Sequence, residues 1–138
     1  MKPITCLLFV LFVSCYQVER QCSDYQTGTY TSSITINDST YHSVFTRTRD
    51  LQVETYQGHV DSTTVRWIND CEVVFRTINP KNMQERKDIH LKILTTTDST
   101  YNFEYSYVGE KIKQKGTAKR INWFTFSNGT TYYSVVFC

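Results

Sequence analysis

The sequence predicts an all-β domain: an antiparallel up-and-down meander that closes into a barrel of eight to ten strands. Three observations carry this. Helix-forming residues are scarce, with one alanine, Ala118, and three leucines past the leader, Leu51, Leu91 and Leu94. Threonine and tyrosine are abundant, at twenty and ten residues, and together with Val, Ile and Phe they suit a pleated, half-buried surface. Short alternating segments also follow one another with turn residues every eight to twelve positions. Closure is expected because an open meander would leave exposed edges. A two-sheet sandwich is the alternative architecture.

The first strand is expected near 27–34 and the second near 41–48, with Asn37-Asp38-Ser39 turning the chain between them. A third covers 51–57, where Leu51, Val53 and Thr55 share a face. Gly58-His59-Val60-Asp61 then reads as a turn into a fourth strand, 62–69, with Val65 and Trp67 on one side. The fifth, 71–78, aligns Cys71, Val73 and Phe75. The polar stretch 79–87, which contains Pro80, interrupts the ladder as the longest loop. Strand six, 89–96, aligns Ile89, Leu91 and Ile93, and Asp98-Ser99 turns it into strand seven, 100–108. Gly109-Glu110 leads to a basic eighth strand ending near Ile121. Finally, 122–127 and 131–137 flank Asn128-Gly129, a strong two-residue hairpin signal.

The chain opens with Lys2, an apolar run over 4–13 and Ser14-Cys15. Ten apolar residues in a helix span about 15 Å, roughly half a bilayer core, which excludes a transmembrane helix. A positive start, a short apolar run and a small residue before cysteine form an export signal. Phe12-Val13-Ser14-Cys15 resembles a bacterial lipobox, which implies lipidation of Cys15 and cleavage before it. Plain secretion is the alternative. By analogy with lipoprotein sorting, Tyr16 in place of an aspartate favours the outer membrane over the inner. The chain therefore divides into a leader, 1–14, an anchor and linker, 15–26, a barrel, 27–121, and a terminal hairpin, 122–138. The formal charge is +2, and +1 once Lys2 is lost, so nucleic acid is not an expected partner.

Thr27-Gly28-Thr29-Tyr30, Trp67-Ile68-Asn69-Asp70-Cys71-Glu72 and Gly116-Thr117-Ala118 resemble a group of small exported bacterial lipoproteins, over residues 22–121. Its layout is similar to lipocalin-like barrels, whose first strand carries Gly-x-Trp; Tyr30 stands in the tryptophan position here. Some relatives of this kind carry a DNA topoisomerase IV type of label. The residues do not support it, since the chain is small and has neither an ATP-binding motif nor an acidic metal cluster.

An oxidising compartment permits disulfides, and Cys22, Cys71 and Cys138 follow Cys15. Counting strand directions places the start of strand one and the turn between strands four and five at the same end. Cys22 and Cys71 are the favoured pair, although Cys138 reaches that end too if the last hairpin continues the meander. His42, His59 and His90 are too scattered for a zinc pattern and are expected to face solvent, so no metal or cofactor is expected. Asp70 and Glu72, two apart on an extended chain, could pair for acid–base work, but turn residues are ordinarily solvated, so no catalytic group is assigned. No Gly-x-Ser-x-Gly, phosphate loop or Cys-x-x-Cys is present.

Two features mark binding. The stripe Tyr101, Phe103, Tyr105 and Tyr107 is expected to point inward as core, and alternatively to wall a ligand. Lys111, Lys113 and Lys115 alternate onto one face, as a solvated edge or as a contact for anionic headgroups or an acidic partner. Three function classes follow: an envelope-anchored binding or interaction protein, a carrier of a small apolar ligand, and a secreted hydrolase inhibitor. A carrier needs an open apolar interior of about 300 Å³ or more. An inhibitor needs an ordered, projecting loop, most plausibly 79–87.

Overall fold

The computed structural model describes residues 20–121. The leader, Cys15, Cys138 and the hairpin at Asn128-Gly129 lie outside the described residues. Eight strands follow in order: β1 (Gly28–Ile36), β2 (Ser39–Arg47), β3 (Leu51–Tyr56), β4 (His59–Asn69), β5 (Glu72–Thr77), β6 (Ile89–Thr96), β7 (Thr100–Tyr107) and β8 (Gln114–Arg120). Each pairs antiparallel with the next, and β8 closes on β1 through Tyr30↔Arg120 to Ile34↔Gly116. The all-β meander closing into a barrel is therefore the observed fold.

Two turns decide local details. Asn37-Asp38 and Gln57-Gly58 all have positive φ, the backbone that matches the twist of a two-residue hairpin. With Gln57-Gly58 as the whole turn, His59, Val60 and Asp61 join β4 and pair with Tyr56, Thr55 and Glu54, which corrects the longer turn expected there. The basic segment also differs from its expected strand. β8 begins only at Gln114, so Lys111 and Lys113 belong to the connection after β7 and Lys115 alone lies on the strand.

The barrel is sealed at one end. Cys22–Tyr25, within the stretch read from sequence as linker, forms a 3₁₀ turn whose Cys22 and Tyr25 are buried. Cys22 is disulfide-bonded to Cys71, as the strand count favoured. Asn69 Oδ1 accepts the Cys71 amide at 2.9 Å, which fixes the β4–β5 turn beneath the bond. The Tyr25 hydroxyl donates to Thr97 O at 2.6 Å. Above this plug lie Tyr30, Val73, Ile93, Tyr101 and Ala118, all at most 1% exposed.

Gly116 permits the tightest approach in the wall. A Cβ there would stand 2.6 Å from Phe103 Cζ and 2.9 Å from the Ser33 carbonyl oxygen. The ring tip is able to move but the backbone oxygen is not. Gly116→Ala is therefore expected to cost about 1–3 kcal/mol by overpacking. Urea unfolding should show a lower midpoint at unchanged slope, and an unchanged midpoint would refute the clash.

Candidate functional site

The interior contains a cavity of about 240 Å³. Alternation along each strand selects its lining: β7 supplies Tyr101, Phe103, Tyr105 and Tyr107, which all face it. The stripe divides in depth. Tyr101 and Phe103 are buried among Tyr25, Tyr30 and one another, whereas Tyr105 and Tyr107 are half-buried toward the opposite end, which is unplugged among the described residues. Ile34, Phe45, Phe75, Ile89 and Leu91 complete the apolar part.

The polar part was not anticipated. Cross-strand partners share a face, and β2 turns Phe45 and Arg47 inward; their partners Glu54 and Gln52 therefore point inward too. The face of β3 that bears Leu51, Val53 and Thr55 is the outer one, with Leu51 exposed and Gln52 buried. Arg47 is 2% exposed. Its Nε donates to Gln52 Oε1 at 2.7 Å, and its guanidinium lies 4.9 Å and 5.0 Å from the ring centres of Phe45 and Phe75. Higher in the wall, the Ser43 hydroxyl donates to Glu54 Oε1, so the Ser32 hydroxyl donates in turn to Ser43 across 2.8 Å. Thr63 Oγ1 is buried in the lining without a hydrogen-bond partner among the described residues.

These groups act on one another's protonation. Burial pushes the Tyr101 phenol above its usual value; the charge and hydrogen bond of Arg47 pull it back, and Glu54 adds to the rise. Tyr105 is raised by burial, then by Tyr107 and Glu54. Both phenols are neutral at physiological pH and keep an O–H to donate. The interior is thus somewhat smaller than the roughly 300 Å³ asked of a carrier, and its mostly apolar wall includes a few placed polar groups.

The other sequence candidates lie outside the barrel. Glu72 points outward and bonds His90 Nε2 at 3.0 Å, with Lys92 at 3.5 Å, while Asp70 is exposed in the β4–β5 turn. His42 and His59 are exposed. Among the described residues no group of three His, Cys, Asp or Glu could hold a metal. Lys113 binds Glu104 and Lys115 faces Glu104 across the ladder, while Lys111 is exposed in the connection. The three lysines therefore do not form one strand face, because pairing with β7 starts only at Tyr105↔Gln114.

The outer carboxylates predict an acid response. Burial alone would raise Glu72, but the His90 hydrogen bond and Lys92 outweigh it and hold it below its usual value. The Arg76 hydrogen bond lowers Asp88, and that of Lys113 lowers Glu104. Each group is thus depressed in the folded state. Its contribution is complete above the unfolded carboxyl range, near about pH 4, and is lost as pH falls through the lower folded values. Melting temperature should decline steadily from about pH 5 to pH 2, less so in Glu104→Gln. An identical decline in that variant would remove Glu104 from the account.

The fold and cavity define an eight-stranded antiparallel barrel plugged at one end, with an aromatic interior that holds buried charge. No protein-family model matches the chain, and no curated protein matches it.

Proposed function

We propose that this is a binding protein that works outside the cytoplasm by contact, without catalysis, and that its site is the barrel interior. The carrying observation is the cavity of about 240 Å³ above a disulfide-locked plug, walled by Tyr101, Phe103, Tyr105 and Tyr107. A binding site that is concave, mostly apolar and furnished with a few placed polar groups has this character. The Cys22–Cys71 bond supports an oxidising compartment. Lipid on Cys15 would tether the plugged end to the envelope, at the outer membrane by the sorting analogy, and turn the other end away from it. Mass spectrometry of protein from its native host tests both parts. A Cys15 bearing a diacylglyceryl thioether and an acylated amine, and a co-purifying small molecule, are expected. Unmodified Cys15 would end the anchoring, and failure of small neutral, singly charged and zwitterionic probes alike to bind the purified barrel would end the carrier reading.

A second reading has its own observation. The 79–87 loop is ordered by Asn82 and Glu85, with the Glu85 amide donating to Asn82 Oδ1 at 2.9 Å and Asn82 Nδ2 to Glu85 Oε1 at 2.7 Å. It presents Met83 at 72% exposure, and Lys87 joins Glu110 of the neighbouring connection, where Ile112 is equally exposed. Two apolar tips beside the unplugged end suit a protein partner. Partner capture lost in Met83→Ser with Ile112→Ser, and kept in Glu54→Gln, would favour this reading over the first.

A further inference from the structure

The barrel interior holds two formal charges of opposite sign, and among the described residues neither meets a counterion. Arg47 reaches only neutral acceptors: Gln52 Oε1 at 2.7 Å, the Tyr25 carbonyl at 3.5 Å and the Tyr101 hydroxyl at 3.4 Å. Among the described residues no carboxylate lies within 4 Å of it. Glu54 is bonded by the Ser43 hydroxyl on Oε1, and among the described residues no ion pair joins its carboxylate to a Lys, Arg or His. Arg47 is buried and Glu54 half-buried; burying unpaired charge is costly, and such groups are ordinarily compensated. The two are near each other in the ladder. Arg47 stands opposite Gln52, and Glu54 follows two residues along β3, about 7 Å of extended chain. Long side chains can cross that backbone spacing, yet Arg47 and Glu54 do not pair over it, and the two are placed for one small molecule to span.

We propose, on the carrier reading above, that the ligand is a small zwitterion of the α-amino acid type with a single-ring or branched apolar side chain. Its carboxylate faces Arg47, its ammonium faces Glu54 and Thr63, and its apolar body lies along Phe103 and Tyr105. Charge selects this class. A simple anion gains Arg47 but is repelled by Glu54, a simple cation meets the reverse, and a neutral molecule leaves both charges unanswered. Size agrees. The cavity of about 240 Å³ exceeds the roughly 150 Å³ that accepts benzene and falls short of the roughly 300 Å³ where drug-sized sites begin. The aromatic wall also favours an ammonium over the ring faces.

Calorimetric titration of the full chain after leader removal tests this with L-phenylalanine, L-leucine, N-acetyl-L-phenylalanine, L-phenylalanine amide and benzyl alcohol. One or both free amino acids should bind on the order of tenfold more tightly than the two singly charged derivatives. Glu54→Gln keeps the size and the Ser43 hydrogen bond, and should erase the preference over the N-acetyl form. If that variant does not fold, the series on the unaltered chain decides by itself. Equal or tighter binding of the N-acetyl form, the amide or benzyl alcohol overturns the zwitterion and leaves the carrier standing. Silence from all five overturns both.

Discussion

Replacing Cys22 and Cys71 together by serine should lower the melting temperature by about 20 °C. The bond joins residues 49 apart, and freeing a loop of that length in the unfolded chain costs roughly 4 kcal/mol in the chain-entropy account. In a domain of this size each kcal/mol moves the midpoint by roughly 4–8 °C. The plug should nonetheless stay seated below the transition. The Gln21 amide still donates to Thr96 Oγ1 at 3.0 Å, Tyr25 to Thr97 O at 2.6 Å, and Arg120 to the Asp24 carbonyl. Arg120 also stacks 4.9 Å from the Tyr25 ring centre. The variant is thus expected to fold at room temperature with its cavity intact. Thermal circular dichroism with and without reductant checks the claim, because reduced wild type and the double variant should melt together. A shift below about 5 °C would mean that the plug's other contacts already restrain the chain.

Part of this architecture was legible because alternation is unambiguous where apolar residues recur. β6 has its expected bounds, with Leu91 and Ile93 buried and Ile89 packed against them. Direction counting along a meander also brought Cys22 and Cys71 to one end. What alternation does not supply is which face is inside. On β3 the apolar set Leu51, Val53 and Thr55 lies outward, because register with β2 forces Gln52 and Glu54 to share the side of Arg47 and Phe45. The signal was present in Phe45-Thr46-Arg47, whose period of two puts Arg47 beside a core phenylalanine. It runs against the rule that charges stay in water, and such a local violation is where a site is expected. The lysine run failed for a different reason. Alternation has meaning only inside a paired segment, and Lys111 and Lys113 precede the first residue of β8.

The aromatic stripe itself yields the second large effect, since its two halves should fail in different ways. Tyr101 is 1% exposed, with ring centres 5.1 Å from Tyr25, 5.7 Å from Tyr30 and 5.8 Å from Phe103. Tyr101→Ala removes that packing and should cost about 3–5 kcal/mol. It also deprives Arg47 Nη2 of the hydroxyl it reaches, leaving a buried charge still less satisfied. Tyr105 lies four residues farther up the same strand, half-buried, with one ring neighbour among the described residues, Phe103, at 6.3 Å. Tyr105→Ala should cost only about 1 kcal/mol of stability. Because the ring is a wall of the cavity, the same change should weaken ligand binding on the order of tenfold, about 1.4 kcal/mol. Urea unfolding and fluorophore displacement on the two variants separate the roles. If Tyr105→Ala were as destabilising as Tyr101→Ala and left displacement unchanged, all four rings would be core and the interior would hold no ligand.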